Sequence, residues 1–285
     1  MCRPFFASWL LPLLTLLSAC GGDSSAAGGA VSAGGAGGAG AAGGAGASGS
    51  QGGSPGTGGA GGDGQGGAPV SQHPRVGAHG LAFFRYGENQ LAGIDAPALN
   101  TQPTGSTLIV SAGRGDFSAF AAPADNKGNG AFAQIGSAHT YTNWPGSGTA
   151  VYSLAGALGG SGHVVTNSNA PGDEITLAVV EVMSSSHVQD AQWVERLNGQ
   201  PITSAAVTTT GPATLVAFWW GDGGADDDKV AVPDNGFEVI DSIGLSGSLV
   251  QCFVAAKEVD AAGSYDVTWD ATPAQGAQLW LIAVQ

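Results

Sequence analysis

Apolar and polar positions follow two different regimes along this chain. After one apolar run near the start, residues 21–69 show no structural period at all. From residue 81 onward, segments rich in β-branched and aromatic side chains recur between clusters of Gly, Pro, Asn and Asp, which is the pattern of strands bounded by turns. The segments predict strands at 81–86, 107–112, 131–135, 150–154, 163–167, 175–183, 213–220, 237–240, 249–257, 264–270 and 277–284, with less regular segments near 192–197 and 202–208. No stretch holds an amphipathic helical period with caps at both ends. Tyr265, Val267 and Trp269 alternate with Asp266, Thr268 and Asp270, as a strand with one dry and one wet face requires. Segments 214–220 and 278–284 are apolar at both parities, so they predict central strands covered on each side.

Eleven or more strands with little helix imply an all-β fold: a two-sheet antiparallel β-sandwich, jelly-roll-like. Asn126-Lys127-Gly128-Asn129-Gly130 and Pro233-Asp234-Asn235-Gly236 are strong turn signals, since Asn and Gly tolerate positive φ. The succession of a strand, a turn of the form Asp125-Asn126-Lys127-Gly128-Asn129 and further strands closing on an apolar C-terminal one resembles the β-sandwich modules of uncharacterised secreted bacterial proteins. That resemblance implies a fold and transfers no catalytic motif.

Composition sets the boundaries. Residues 21–69 hold 23 glycines in 49 positions, the rest mostly Ala and Ser, with Asp23 and Asp63 the only charges. A segment of this kind buries too little apolar surface to offset its chain entropy, so a disordered Gly/Ala linker is expected. As a flexible coil it reaches roughly 35–42 Å. Residues 70–285 are long enough for one sandwich domain with a sizeable core, and no second linker interrupts them.

At the start, Arg3 precedes an apolar run over 5–17 that ends in Leu17-Ser18-Ala19-Cys20. The run is short for a membrane span. The tetrapeptide resembles the lipobox of bacterial lipoproteins. The resemblance implies that residues 1–19 are a signal peptide, that Cys20 is acylated, palmitate included, and that acyl chains hold the protein to a membrane. Gly21, in place of Asp, implies sorting to the outer membrane. An ordinary signal peptide with an incidental Cys20, or a short uncleaved anchor, are the competing readings.

The formal charge is −14, and removing residues 1–19 deletes one positive charge, Arg3, and no acid, which takes it to −15. Without a Lys/Arg cluster, this sign argues against nucleic acid as a partner. Of the three cysteines, the lipobox resemblance puts Cys2 in the signal peptide and makes Cys20 the candidate lipid acceptor, so no disulfide is expected to join Cys252 to either in the mature domain. Cys252 shares strand parity with Val250, Val254 and Ala256 and is expected to be a buried apolar residue.

Candidate chemistry is sparse. Asp222, Asp226 and Asp228 crowd carboxylates into one loop after an apolar strand, a supply of oxygens suited to Ca²⁺; a solvated acidic loop is the competing reading. Trp144, in Tyr141-Thr142-Asn143-Trp144-Pro145-Gly146, is placed in a loop where an indole suits stacking on a sugar, or where it tucks onto the sandwich. Glu181 shares parity with Leu177, Val179 and Met183, which makes it a candidate carboxylate on a partly apolar face, but no partner acid is identifiable. Ser185 or Ser186 with His187 and Asp190 are the ingredients of a nucleophile and base, although sequence neighbours do not make a triad. Arg114-Gly115-Asp116 matches an adhesion tripeptide, and Gly52-Gly53-Ser54-Pro55-Gly56 matches the nucleophile-elbow pattern without the strand and helix it needs. CxxC, HExxH and P-loop motifs are absent.

The expected function is a lipid-anchored envelope lipoprotein whose sandwich binds carbohydrate, envelope polymer or a protein partner through its loop-bearing end. A secreted carbohydrate-active enzyme and a structural envelope component without a small ligand are the alternatives.

Overall fold

The computed structural model describes residues 73–88, 92–116, 120–168, 171–197, 199–222, 228–245 and 248–285. The expected signal peptide, Cys20 and the Gly/Ala segment lie outside these residues. Gln65–Gln285 forms one compact unit, and its described residues are all-β.

Twenty strands fall into two halves of ten. The first half holds β1 (Arg75–Phe84), β2 (Gly93–Asp95), β3 (Leu99–Asn100), β4 (Ser106–Arg114), β5 (Ala124–Asp125), β6 (Ala133–Thr140), β7 (Gly148–Ala157), β8 (Ser161–His163), β9 (Val165–Ser168) and β10 (Ile175–Met183). The second holds β11 (Val188–Arg196), β12 (Ile202–Thr203), β13 (Val207–Thr209), β14 (Ala213–Asp222), β15 (Val230–Pro233), β16 (Glu238–Ile243), β17 (Val250–Val259), β18 (Gly263–Tyr265), β19 (Thr268–Thr272) and β20 (Ala277–Val284).

The halves share one topology. In the first, a five-stranded sheet ordered β1-β10-β4-β7-β6 is accompanied by the short sheets β2-β9-β5 and β3-β8. In the second, β11-β20-β14-β17-β16 is accompanied by β12-β19-β15 and β13-β18. Each strand therefore recurs ten strands later in the same place, and the chain shuttles between long and short sheets in jelly-roll fashion. Register repeats as well: Thr107 pairs with Val182 as Thr214 pairs with Val284. From β8 to β10 the sequence returns as β18 to β20 at an offset of 102 residues without a gap, keeping Val165/Val267, Thr166/Thr268, Pro171/Pro273, Leu177/Leu279 and Val182/Val284. The repeat is not apparent to a strand-by-strand reading, because so few side chains survive in both copies.

The two long sheets are the layers of the sandwich. Their facing sides supply one shared core, which holds Ile109, Val151, Ala178, Val180 and Val182 from the first half with Val216, Phe218, Trp220, Cys252, Trp280 and Ile282 from the second. Each outer side carries its own core under the short sheets, built on Leu108, Val110 and Leu177 in one half and on Leu215, Trp219, Leu279 and Trp269 in the other. Successive residues of β4, β10, β14 and β20 thus enter different cores, which explains why these strands are apolar at both parities. An approximate two-fold axis relates the halves: β1 lies beside β16 as β11 lies beside β6, and β10 faces β17 as β20 faces β7.

Near the axis, equivalent positions meet as small against large. Gly113 corresponds to Trp220, and a Cβ at Gly113 would stand 2.0 Å from Trp220 Nε1. Likewise Ala178 corresponds to Trp280. Bulk in the second half fills space left by the first, so the interface is closed by complementarity rather than by symmetry.

Candidate functional site

Strand directions give the sandwich two ends with different contents. Arg75 pairs with Met183, and Met183 with Ser106. His73, where the described residues begin, and Gln285, bonded through its backbone to His187, therefore lie at one end, here called proximal. Phe84, Arg114 and Gly148 mark the other, distal end. In the second half Asp222 and Val250 pair there.

At the distal end, the β6–β7 turn is closed by Trp144 N–H on Tyr141 O at 3.1 Å and by Ser147 N–H on Trp144 O at 2.8 Å. This turn leaves the Trp144 side chain 54% exposed, while Tyr141 packs its ring edge on Trp220. Tyr86, on the turn after β1, is 75% exposed. Leu245 and Leu249, beside β17, are also exposed. Beneath them the end is stiffened by buried polar pairs. Arg114 Nε donates to Asp173 Oδ2 at 2.6 Å, and Asp116 N–H donates to Asp173 Oδ1 at 2.9 Å. Burial pushes the Asp173 carboxyl up, against the pull of Arg114 and of the Asp116 N–H. Leu249 N–H donates to Glu174 Oε1 at 3.0 Å, which ties the two halves together. Where the first half has Arg114 and Asp173, the second has Gly221 and Gln275, and Gln275 donates to Gln251 at 2.9 Å. Lys229, which follows the acidic loop, is buried and its Nζ has no hydrogen-bond partner; burial lowers its pKa.

Glu181 lies elsewhere. It has the expected parity with Leu177 and Val179, but it sits opposite Leu108 towards the proximal end and is 1% exposed. Its carboxylate accepts Ala78 N–H at 3.0 Å, Gln102 N–H at 2.7 Å and Ser106 Oγ–H at 2.6 Å. With about 3.3 Å per residue along a strand, the six positions between Leu108 and Arg114 put it roughly 20 Å from the Trp144 turn. Trp144 and Glu181 do not converge on one site. Glu181 fastens β1 and the β3–β4 loop to β10.

Of the expected calcium ligands, Asp222 ends β14, Asp226 lies outside the described residues, and Asp228, where they resume, is exposed. No group of three metal-ligating side chains occurs among the described residues. Arg114 is buried against Asp173, so Arg114-Gly115-Asp116 does not present its guanidinium for adhesion. Ser186 Oγ meets His187 Nδ1 at 2.9 Å, whereas Asp190 is engaged by Thr208 and Gln192; these residues form no relay. Ser185 is buried and donates to Val182 O.

A recess of about 190 Å³ opens beside Tyr86, Asp116 and Gly172. Sequence patterning assigns Tyr86 to the end of a strand; the adjacent Gly87, at φ 78°, is the signal that it belongs to a turn. A second recess, about 360 Å³, lies along the β1–β16 edge between Val76 and Glu238, where Glu258 accepts Val76 N–H at 3.2 Å.

Comparison with family models, with curated proteins and with solved structures finds no match to this chain.

Proposed function

We propose that the chain is a lipid-anchored lipoprotein of the outer membrane whose double sandwich binds carbohydrate at its distal end, with Trp144 as the stacking residue. The observation that carries this reading is the polarity of the molecule: the chain enters at His73 on one end, and the exposed Trp144 and Tyr86 stand on the other. Acyl chains on Cys20 and the Gly-rich segment would then hold the globule by its proximal end and leave the distal loops free to meet a polymer. Aromatic faces beside backbone amides suit sugar rings, which offer apolar C–H patches ringed by hydroxyls.

The carboxylate-based enzyme reading loses its candidate, since Glu181 is enclosed and already accepts three hydrogen bonds. Calcium belongs to the distal reading only through the loop after β14; equal melting temperatures in excess calcium and in chelator remove that ion.

A glycan array probed with the full chain in detergent tests the proposal, beside Trp144→Ala. Binding that Trp144→Ala abolishes is the expected result. Silence across the array, with a protein partner recovered by crosslinking on cells, replaces carbohydrate by protein; silence in both favours a structural component. Labelled palmitate appearing in the wild type and missing from Cys20→Ser tests the anchor independently.

A further inference from the structure

Tyr86 borders a recess that Trp144 does not line. Tyr86 is second in the turn from Arg85 to Glu88, closed by Glu88 N–H on Arg85 O at 3.0 Å and by Arg85 N–H on Glu88 Oε2 at 2.9 Å. Gly87 N–H donates to Gly172 O at 2.8 Å, which docks this turn on the turn before β10. The ring is therefore open to solvent on a backbone that is held at several points, so ligand stacking costs little further ordering.

Two carboxylates border the same recess, and their circumstances differ. Asp173 is buried and compensated by Arg114 at 2.6 Å. Asp116 is held in place through its N–H on Asp173, and it is exposed. A neutral sugar seated here would offer that carboxylate hydroxyl donors and no charge. An amino sugar's ammonium would add an opposite charge to the hydrogen bond on Asp116, while the apolar face of its ring lies on Tyr86. The net charge of the chain draws cations in the same sense. At about 190 Å³ the recess is smaller than the roughly 300–1,000 Å³ of sites for drug-sized ligands, which suits one ring rather than an extended chain.

We infer that the recess formed by Tyr86, Asp116, Pro171 and Gly172 is an amine-selective subsite that takes one amino-sugar ring, with its ammonium on Asp116 and its apolar face on Tyr86. This rests on the carbohydrate reading of the distal end and adds the chemical class of the sugar.

Calorimetric titration of the full chain in detergent tests it, using a glucosamine tetramer and its N-acetylated counterpart at a pH where the amine is protonated. The free amine is expected to bind at least tenfold more tightly. Asp116→Asn should bring the two oligomers to equal affinity, Tyr86→Ala should weaken the glucosamine oligomer at least tenfold, and Trp144→Ala should weaken both oligomers alike. A ratio untouched by Asp116→Asn, equal binding by the wild type, or no binding of either oligomer overturns the inference. If neutral glycans still bind the array through Trp144 in any of those cases, the proposed function stands without this subsite.

Discussion

Single side chains decide how this sandwich closes. Glu181 occupies a site made for an acceptor alone, with three donors converging on its two oxygens and Gly77 leaving room for them. Glu181→Gln would turn an NH₂ group toward a backbone N–H, and it should cost about 1–3 kcal/mol in urea unfolding while leaving glycan binding unchanged. Gly113→Ala drives a methyl into Trp220 and Thr176; overpacking of this kind costs about 1–3 kcal/mol, with a visible change in tryptophan fluorescence. Cys252 adds a pH dependence. Burial pushes its thiol from 9.0 up to about 12, so the folded state keeps a proton that the unfolded chain releases. Its contribution to stability is complete below about pH 9 and is lost as pH rises toward 12. Cys252→Ala should flatten the alkaline limb of stability against pH, and a limb of the same slope in both proteins would contradict this. Native Cys252 should also resist thiol reagents at pH 8.

Among the elements, the long strands were legible and the short ones were not. Residues 175–183 and 277–284 are strands from end to end because both of their faces are buried and, Glu181 and Gln278 apart, β-branched or apolar. β2, β3, β5 and β15 have two to four residues each, too few to show a period; their places are set by pairing with β8, β9 and β19. β1 begins at Arg75, well before the apolar segment that announces it, because a bulge between Val76 and His79 breaks its alternation and His79 bonds Asp241 at 2.8 Å across the edge. The candidate site was less legible than the fold. The exposed turn at Trp144 follows from its loop context, whereas the Tyr86–Asp116 recess joins turns 30 residues apart and the burial of Arg114 and Glu181 follows from partners distant in sequence. One polar link between the sheets is testable at this scale. Thr149 Oγ1 accepts Trp280 Nε1–H at 3.0 Å and donates to Gln278 Oε1 at 2.5 Å, joining β7 to β20. Thr149→Val keeps the shape and orphans both partners, at about 1–3 kcal/mol each; a midpoint in denaturant equal to the wild type would show that the link is energetically idle.

For the whole molecule, the shared core between the long sheets makes the halves interdependent. Neither half can keep its inner face without the other, so calorimetry of the chain should show one unfolding transition for residues 73–285 rather than two. Both long sheets deliver their Trp144, Tyr86 and Leu249 loops to the end opposite His73 and Gln285, which is the separation of attachment from recognition that the proposed function requires. Hydrogen–deuterium exchange of the full chain, with and without a glycan that binds it on the array, tests that separation most directly. Slowed exchange confined to 85–88, 115–116 and 141–147 is what the account predicts. Slowed exchange at 184–187 and 209–212 instead, with the distal turns unchanged, would contradict it.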